Sequence, residues 1–474
     1  MSTFSGLNTA LSGLNASRTG LNTVGQNLTN VNTAGYTRQR VDFTALGAPA
    51  RGALSDLGVK TGQGVTVTSI SRLGDTFLDA RVRTNFSAAG YTGVRADAAS
   101  SIENTLGEPG DNGMSTKLQN FWGAWSELSS HTGDAGTGSA SVLLQKSAAL
   151  AQGLSNGYSA LNAQWSQART NANTVTKDIN STASQVAALN DQIRTAQASG
   201  APHNELIDQR NTLTERLAQM AGGTVRDLAD GTNEILLGGN VLVSGNSSNA
   251  IKVTGAAQMA DGAPVQLQWD KPNGSVVDLD GGQLAGLLSV LSPAAADGTG
   301  GMIAQTAKSY NDLATKIAET VNAAHRTGAT PDGTTGLDFF TFKAGVPAAM
   351  GLTVVPKDIS GIAAGTVGAG GLDGSMAEAI SQLGKGPDSP DASWSKTVVS
   401  LAVDIKSGLQ QAATANTSLT NAVANQQANA SVDIDEENVN LLSFQHAYQA
   451  AARVMTAIDE TLDVLINQTG RVGR

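Results

Sequence analysis

The sequence predicts a mainly α-helical, elongated protein with an inserted β-rich domain, discontinuous domains, and N- and C-terminal helices paired as a coiled coil. Three observations carry this. Both ends of the 474-residue chain show heptad spacing. Residues 140–199 carry apolar positions stepping by four and three without a break. Residues 224–282 change to short apolar runs separated by glycine turns.

The first element is a helix of about thirty residues. Gly-Leu-Asn recurs at 6–8, 13–15 and 20–22, a seven-residue step. Leu7, Leu14, Leu21 and Leu28 fall on one line, with Phe4 and Leu11 between and Val24 and Val31 beside it. Arg18 is the only charge before Arg38, so the remaining surface is Ser, Thr, Asn and Gly. Each Gly costs about 1 kcal/mol against Ala inside a helix, so three at helical spacing need a reason. The expectation is that the leucines face a partner helix of the same chain. Gly6, Gly13 and Gly20 then leave a flat path for a neighbouring copy. Asn8, Asn15 and Asn22 supply an uncharged polar face that can be buried without stranding ions.

Residues 37–74 read as extended, with the runs VDFTAL and GVTVTSISRL. Residues 75–106 return to helical spacing and stop at Gly107–Gly110. A short helix follows with Leu118, Phe121, Trp122, Trp125 and Leu128 on one face, a core stripe rather than a ligand box. The stretch 140–199 would make a helix of roughly 90 Å at 1.5 Å per residue. Gly200-Ala-Pro202 ends it, and a helix at 204–221 stops at Gly222-Gly223. The runs EILL, NVLV and VQLQW between turns mark a small β region at 224–282. Helical pattern resumes at 283–291 and 302–325; residues 326–388 read as irregular, with one short strand at 351–355. A long helical pattern runs from Trp394 to Val423.

The last element mirrors the first. Leu441, Tyr448, Met455 and Leu462 lie seven apart, as do Phe444, Ala451, Ile458 and Leu465. Asp433 is placed to cap this helix, with Glu436 three residues on in a variant of the capping box. The expected organisation is nested. Residues 1–35 with 431–474 form a terminal coiled-coil unit. Residues 36–222, 283–325 and 390–430 form a long-helix middle domain, and 223–282 with 326–389 an outer β-rich or irregular one.

Composition excludes several chemistries. A net charge of -10 argues against a general nucleic-acid or anionic-membrane binder. The absence of cysteine removes disulfides and thiolate catalysis. His131, His203, His325 and His446 are not at ligand spacing. Asp332, Gly333, Gly336 and Asp338 only faintly resemble a calcium loop, lacking its spaced carboxylates and closing Glu. No catalytic motif stands in a suitable context, so no catalytic residue, metal or cofactor is expected. No apolar run reaches the roughly 18 residues of a membrane span, and the N-terminus lacks the pattern of a cleaved signal.

NLTNVNTAGYTRQRVDF (27–43) resembles the segment after the N-terminal helix in rod, hook and hook-associated proteins of the bacterial flagellum. Within it, Gly-Tyr-Thr-Arg-Gln at 35–39 is most similar to the hook-associated protein 1 family. Rod and hook relatives usually carry Pro where this chain has Ala34. The C-terminal stretch 431–467 is similar to the same family's last segment, and LNDQI (189–193), NELIDQRNTLTERL (204–217) and NAAHRTGATPDGTTGLDFF (322–340) are internal matches. The resemblance implies a structural, non-enzymatic subunit at the hook–filament junction, outside the cell. It implies export by the flagellar type III apparatus without signal cleavage, aided by a cytoplasmic chaperone on the C-terminal helix. It implies assembly with copies of itself in a helical ring, with hook protein below and a second junction protein or flagellin above. Neither nucleic acid nor membrane insertion is expected. The expected assembly surface comprises the terminal leucines, glycines and asparagines above, Phe4, both C-terminal heptad sets, and Tyr36 and Arg38 of the motif. Alternatives are another axial protein, flagellin-like or hook-like, or a secreted hydrolase or adhesin using similar export helices.

Overall fold

The structure is a computed structural model that describes residues 3–47, 62–132 and 136–468. The first two and last six residues of the expected terminal pairing, and 48–61 of the extended stretch, lie outside them.

Helix α1 (Thr3–Thr29) is followed by an antiparallel hairpin, β1 (Gln39–Leu46) and β2 (Gly64–Arg72), with a bulge at Asp42/Phe43. The hairpin lies against α1. Helix α2 (Thr76–Leu106) starts where the Asp75 carboxylate accepts the Phe77 and Leu78 N–H groups, and ends at Gly107, whose φ of 57° suits a residue without Cβ. After α3 (Met114–Ser130) comes α4 (Gly136–Ser199), 64 residues long, hence about 96 Å at 1.5 Å per residue. It buries Leu154, Leu161, Trp165, Ala172, Ile179, Val186 and Ile193, positions on the four-and-three spacing.

Helix α5 (Asn204–Ala221) folds back onto α4 and α2. Strands β3 (Thr224–Asp227), β4 (Asn233–Leu237), β5 (Asn240–Ser244) and β6 (Ser247–Ser248) form an antiparallel meander, and β7 (Ile251–Gly255) pairs with β8 (Val265–Trp269). Both small sheets rest on α4. Helices α6 (Gly282–Val290) and α7 (Met302–His325) return to the helical body.

The stretch expected to be irregular holds two short ladders. Strand β9 (Gly328–Ala329) pairs with β12 (Gly365–Thr366), and β10 (Phe340–Phe342) with β11 (Leu352–Val354), around the short α8 (Ala348–Gly351). Strands of two or three residues are too brief to show a period of two. Helix α9 (Ser375–Ser381) leads to α10 (Pro390–Ala430), which runs along α2, and α11 (Ile434–Asp463) ends in a π turn at Val464–Gln468.

The core of the body is aromatic. Phe121 lies 5.8 Å from Phe340 and Trp125 4.9 Å from Phe339, centroid to centroid. The loop after α7 is tied to this cluster. Asn322 Oδ1 accepts the Phe339 and Phe340 N–H groups at 2.9 Å. Fully buried His325 bridges the Leu337 carbonyl (Nδ1, 2.8 Å) and the Ala363 N–H (Nε2, 2.9 Å), which requires the neutral ring; burial pushes its pKa down accordingly. The motif at 322–340 is therefore a loop-closing device.

Candidate assembly surface and the polar hub at its base

Helices α1 and α11 lie antiparallel, in step by heptads. Gly6 faces Ile458, Gly13 faces Ala451 and Gly20 faces Phe444; one heptad on, Asn27 Nδ2 donates to Glu437 Oε2 at 3.2 Å. The α1 side of this seam is small: Ala10, Ser17, Gly20, Val24 and Asn27 are buried along it. This corrects the expectation that the glycines await a neighbour; the half-buried leucines stand one position round the helix from them. The helix that approaches the glycines is α11 of the same chain. A Cβ on Gly20 would sit 2.6 Å from the Phe444 ring, and one on Gly6 3.2 Å from Ile458 Cδ1. The bulk in the seam comes from α11, and glycine makes room for it.

Leu7, Leu14, Leu21 and Leu28 are half-buried on the flank, while Phe4 and Leu11 are 66% and 45% exposed. Asn8, Asn15 and Asn22 point outward with them. On α11 Leu441, Phe444, Tyr448, Ala451, Met455, Ile458 and Leu462 are half-buried, with Asn440 and Ala452 beside them. Leu465 departs from this set and is exposed. In the register that sets Gly6 against Ile458, Leu465 lies past Thr3, where α1 begins. Further apolar side chains of α11 face outward, among them Val439, Leu442 and Val454. Glu437 is the one residue of α11 that is fully buried.

Beneath the pair, the Gly-Tyr-Thr-Arg-Gln stretch forms a polar hub in which Tyr36, Thr37, Arg38 and Gln39 each have hydrogen-bond partners. Gly35 has φ +78°, and a Cβ on it would meet Thr212 Oγ1 at 2.6 Å. The Tyr36 hydroxyl donates to Asn27 Oδ1 at 2.9 Å, which also accepts the Gln39 N–H at 3.0 Å. Burial, with Glu205, Asp208 and Glu437 nearby, pushes the Tyr36 phenol far above its usual pKa, so it stays a donor. The Thr37 N–H reaches Asp208 Oδ2 at 3.1 Å, and Arg72 Nε reaches Asp208 Oδ1 at 2.8 Å. Burial raises the Asp208 pKa against the pull of Arg72. Arg38 forks onto two carboxylates, Glu437 at 2.7 Å and Glu436 at 2.7 and 2.8 Å. Its hydrogen bonds hold the Glu436 carboxyl below the usual range. Gln39 joins Glu205 at 3.0 Å and Asn204 at 3.1 Å.

Tyr36 and Arg38 thus sit inside the hub, not on the outer face of the helix pair. Asp433 caps α11 by accepting the Asp435 and Glu436 N–H groups. Glu436 closes no capping box; Arg38 takes its carboxylate. Asn27, Gln39, Arg72, Glu205, Asp208 and Glu437 were not singled out by periodicity or catalytic pattern. Apart from Arg72, they lie in the three stretches that resemble the family: 27–43, 204–217 and 431–467. The fold brings those stretches together at one point.

The arrangement offers packing and hydrogen bonding rather than bond chemistry. Among the described residues, no group of three His, Asp or Glu is placed to hold a metal ion. Asp332 binds its own turn at Thr330 and Thr334, and Asp338 pairs with Arg326. No helix among the described residues is long and apolar enough to cross a membrane.

Comparison with known proteins follows the same division. A family model described as the flagellar hook-associated protein FlgK helical domain matches residues 99–340. Models of the flagella basal body rod protein and of the flagellar basal body rod FlgEFG protein C-terminal match 7–37 and 427–468, the two arms of the helix pair. The chain is 31% identical over 515 residues to flagellar hook-associated protein 1 of Bacillus subtilis (strain 168), covering 100% of both chains. It is 28% identical to flagellar hook-associated protein 1 of Escherichia coli (strain K12) and 32% to that of Salmonella typhimurium, over 75% and 71% of this chain. It spans only 62% and 59% of those longer relatives. The solved structure of the flagellar hook junction protein FlgK from Burkholderia pseudomallei shares the fold, with TM-score 0.65 at 14% identity over 75% of this chain and 100% of that one.

Proposed function

The chain belongs to the flagellar hook-associated protein 1 family, whose members are structural parts of the flagellum and not enzymes, and from that premise we propose that it is a subunit of the hook–filament junction. It joins copies of itself in a helical ring through the outer faces of α1 and α11, with hook protein below and a second junction protein or flagellin above. The observation that carries the proposal is the pair's outer surface. Phe4, Leu11, Val439, Leu442 and Val454 are between 45% and 66% exposed there. Arg18 is the one charged side chain of α1. The α1 side of that surface is well suited to burial between copies, because apolar area is gained there with a single charge to desolvate, while the exposed charges of α11, such as Arg453, Asp459 and Glu460, stay at its edge or pair across it. The three-part organisation expected from the sequence, with long helices as a stiff middle, fits a subunit of a tube wall. Export through the type III apparatus without signal cleavage, and a cytoplasmic chaperone on α11, complete the proposal on the strength of family resemblance.

Deletion of residues 3–29 tests it. The shortened chain should keep a cooperative helical melting transition by circular dichroism, yet leave isolated hook tips bare in electron micrographs. Rings that still form on those tips, or a body that unfolds with α1 gone, would overturn the reading.

A further inference from the structure

The chain passes between the terminal elements (α1, β1–β2, α11) and the body at two places, Leu73–Asp75 and Ala430–Asp433. These crossings lie side by side. The Arg38 N–H donates to the Ala430 carbonyl and the Leu73 N–H to the Arg38 carbonyl, both at 2.9 Å. Asn429 Nδ2 closes the tie on the Leu73 carbonyl at 3.3 Å. Neither α1 nor α11 packs extensively on the helices of the body. Thr37 and Arg72 bond to Asp208 of α5, and Gln39 to Asn204 and Glu205. The turn at 30–36 between these contacts packs on Thr212 of α5 at Gly35 and is otherwise bordered by open clefts. One open cleft of about 700 Å³ runs between it and α4 and α5, and another of about 470 Å³ opens towards α2, α5 and α10.

We propose that this neck is a hinge. The terminal elements swing as one piece about the paired crossings at Leu73 and Ala430, and the contacts of Thr37, Gln39 and Arg72 with α5 form a clamp that holds one angle. The chemistry of the contacts supports the division. Clamp groups are polar, and Thr37, Arg72, Glu205 and Asp208 line the open clefts, so water can replace their partners when they separate. The ties within the swinging piece are all on its own side of the crossings: Asn27 on Glu437, Arg38 on Glu436 and Glu437, and Phe43 on Phe444 at 6.0 Å. On the assembly reading, opening the clamp lets identical subunits hold their bodies at different angles to a common inner tube. The hinge itself needs no assembly, so its failure leaves that reading standing.

The chain has no cysteine, so spin labels can be placed at chosen sites in the full-length monomer. One pair, Asn22→Cys with Lys177→Cys, spans the neck; the other, Asn22→Cys with Gln445→Cys, stays within the swinging piece. All three positions are exposed. With the clamp weakened by Asp208→Asn or, separately, Glu205→Ala, the neck distances measured by pulsed electron resonance should broaden and shift to longer values. The internal pair should not change. Neck distances that stay as narrow as in the parent in both variants would overturn the proposal. So would equal broadening of both pairs, because the terminal elements would then be coming apart rather than turning.

Discussion

The terminal helix pair and the helical body use the same amphipathic principle and finish with opposite packing. In the body, Trp125, Trp165, Phe121 and Phe339 are less than 2% exposed, and Phe121, Trp125 and Phe339 are in mutual ring contact. In the pair, α1 contributes mainly Gly, Ala and Ser to the seam, and most side chains of α11 are exposed. Burial of large apolar groups stabilises by roughly 25 cal/mol per Å², so the body is self-sufficient and the pair is not. On the proposed assembly, the contrast would separate a part that folds alone from one that neighbours complete. It also explains why polar groups concentrate between them: the hub fixes direction where the seam supplies little burial.

The largest expected effect lies on the body side. Phe339→Ala removes a ring in contact with Phe121, Trp125, His325 and Phe340. A cavity of that kind costs about 3–5 kcal/mol. Urea unfolding followed by tryptophan fluorescence should show the body's midpoint falling accordingly, with amide exchange in α1 and α11 unchanged. If exchange in the pair rises as much as in the body, the two parts are one cooperative unit and the contrast fails.

The sequence makes the body far more legible than the seam. Helix α4 is visible because its apolar residues keep one spacing over its whole length, and α11 because its seam residues are large. On α1 the eye follows leucine, yet the seam runs one residue earlier through Gly6, Gly13 and Gly20. Small residues carry no hydrophobic signal; their role depends on the bulk of Ile458 and Phe444 opposite, 424 or more residues away in the chain. The hub is hidden for the same reason. Arg38 finds Glu437 across 399 positions and Thr37 finds Asp208 across 171, and polar pairing leaves no periodicity. Only the likeness of the three stretches to one family hinted that they share a purpose.

Gly20→Ala is the next test in size. The new methyl would meet the Phe444 ring at 2.6 Å, and that ring is already held by Phe43 at 6.0 Å. Overpacking costs about 1–3 kcal/mol, against a helix-propensity gain near 1 kcal/mol. Exchange should quicken in α1 and α11 while the urea midpoint of the body stays put. Had the glycines faced outward, as the sequence alone suggested, the isolated chain would gain stability instead.

Gly13→Ala should do the reverse, one heptad away on the same helix. Its Cβ would lie 3.8 Å from Ala451 Cβ, an ordinary contact in a space already present. Only the propensity term remains, worth up to about 1 kcal/mol in favour of the helix. Exchange in α1 should therefore slow in the monomer. The same Gly-to-Ala change then carries opposite signs at two positions that sequence periodicity treats as equivalent, and the side chain of α11 opposite each one decides the sign. Equal signs at both positions would mean that the antiparallel register of α1 on α11 is wrong.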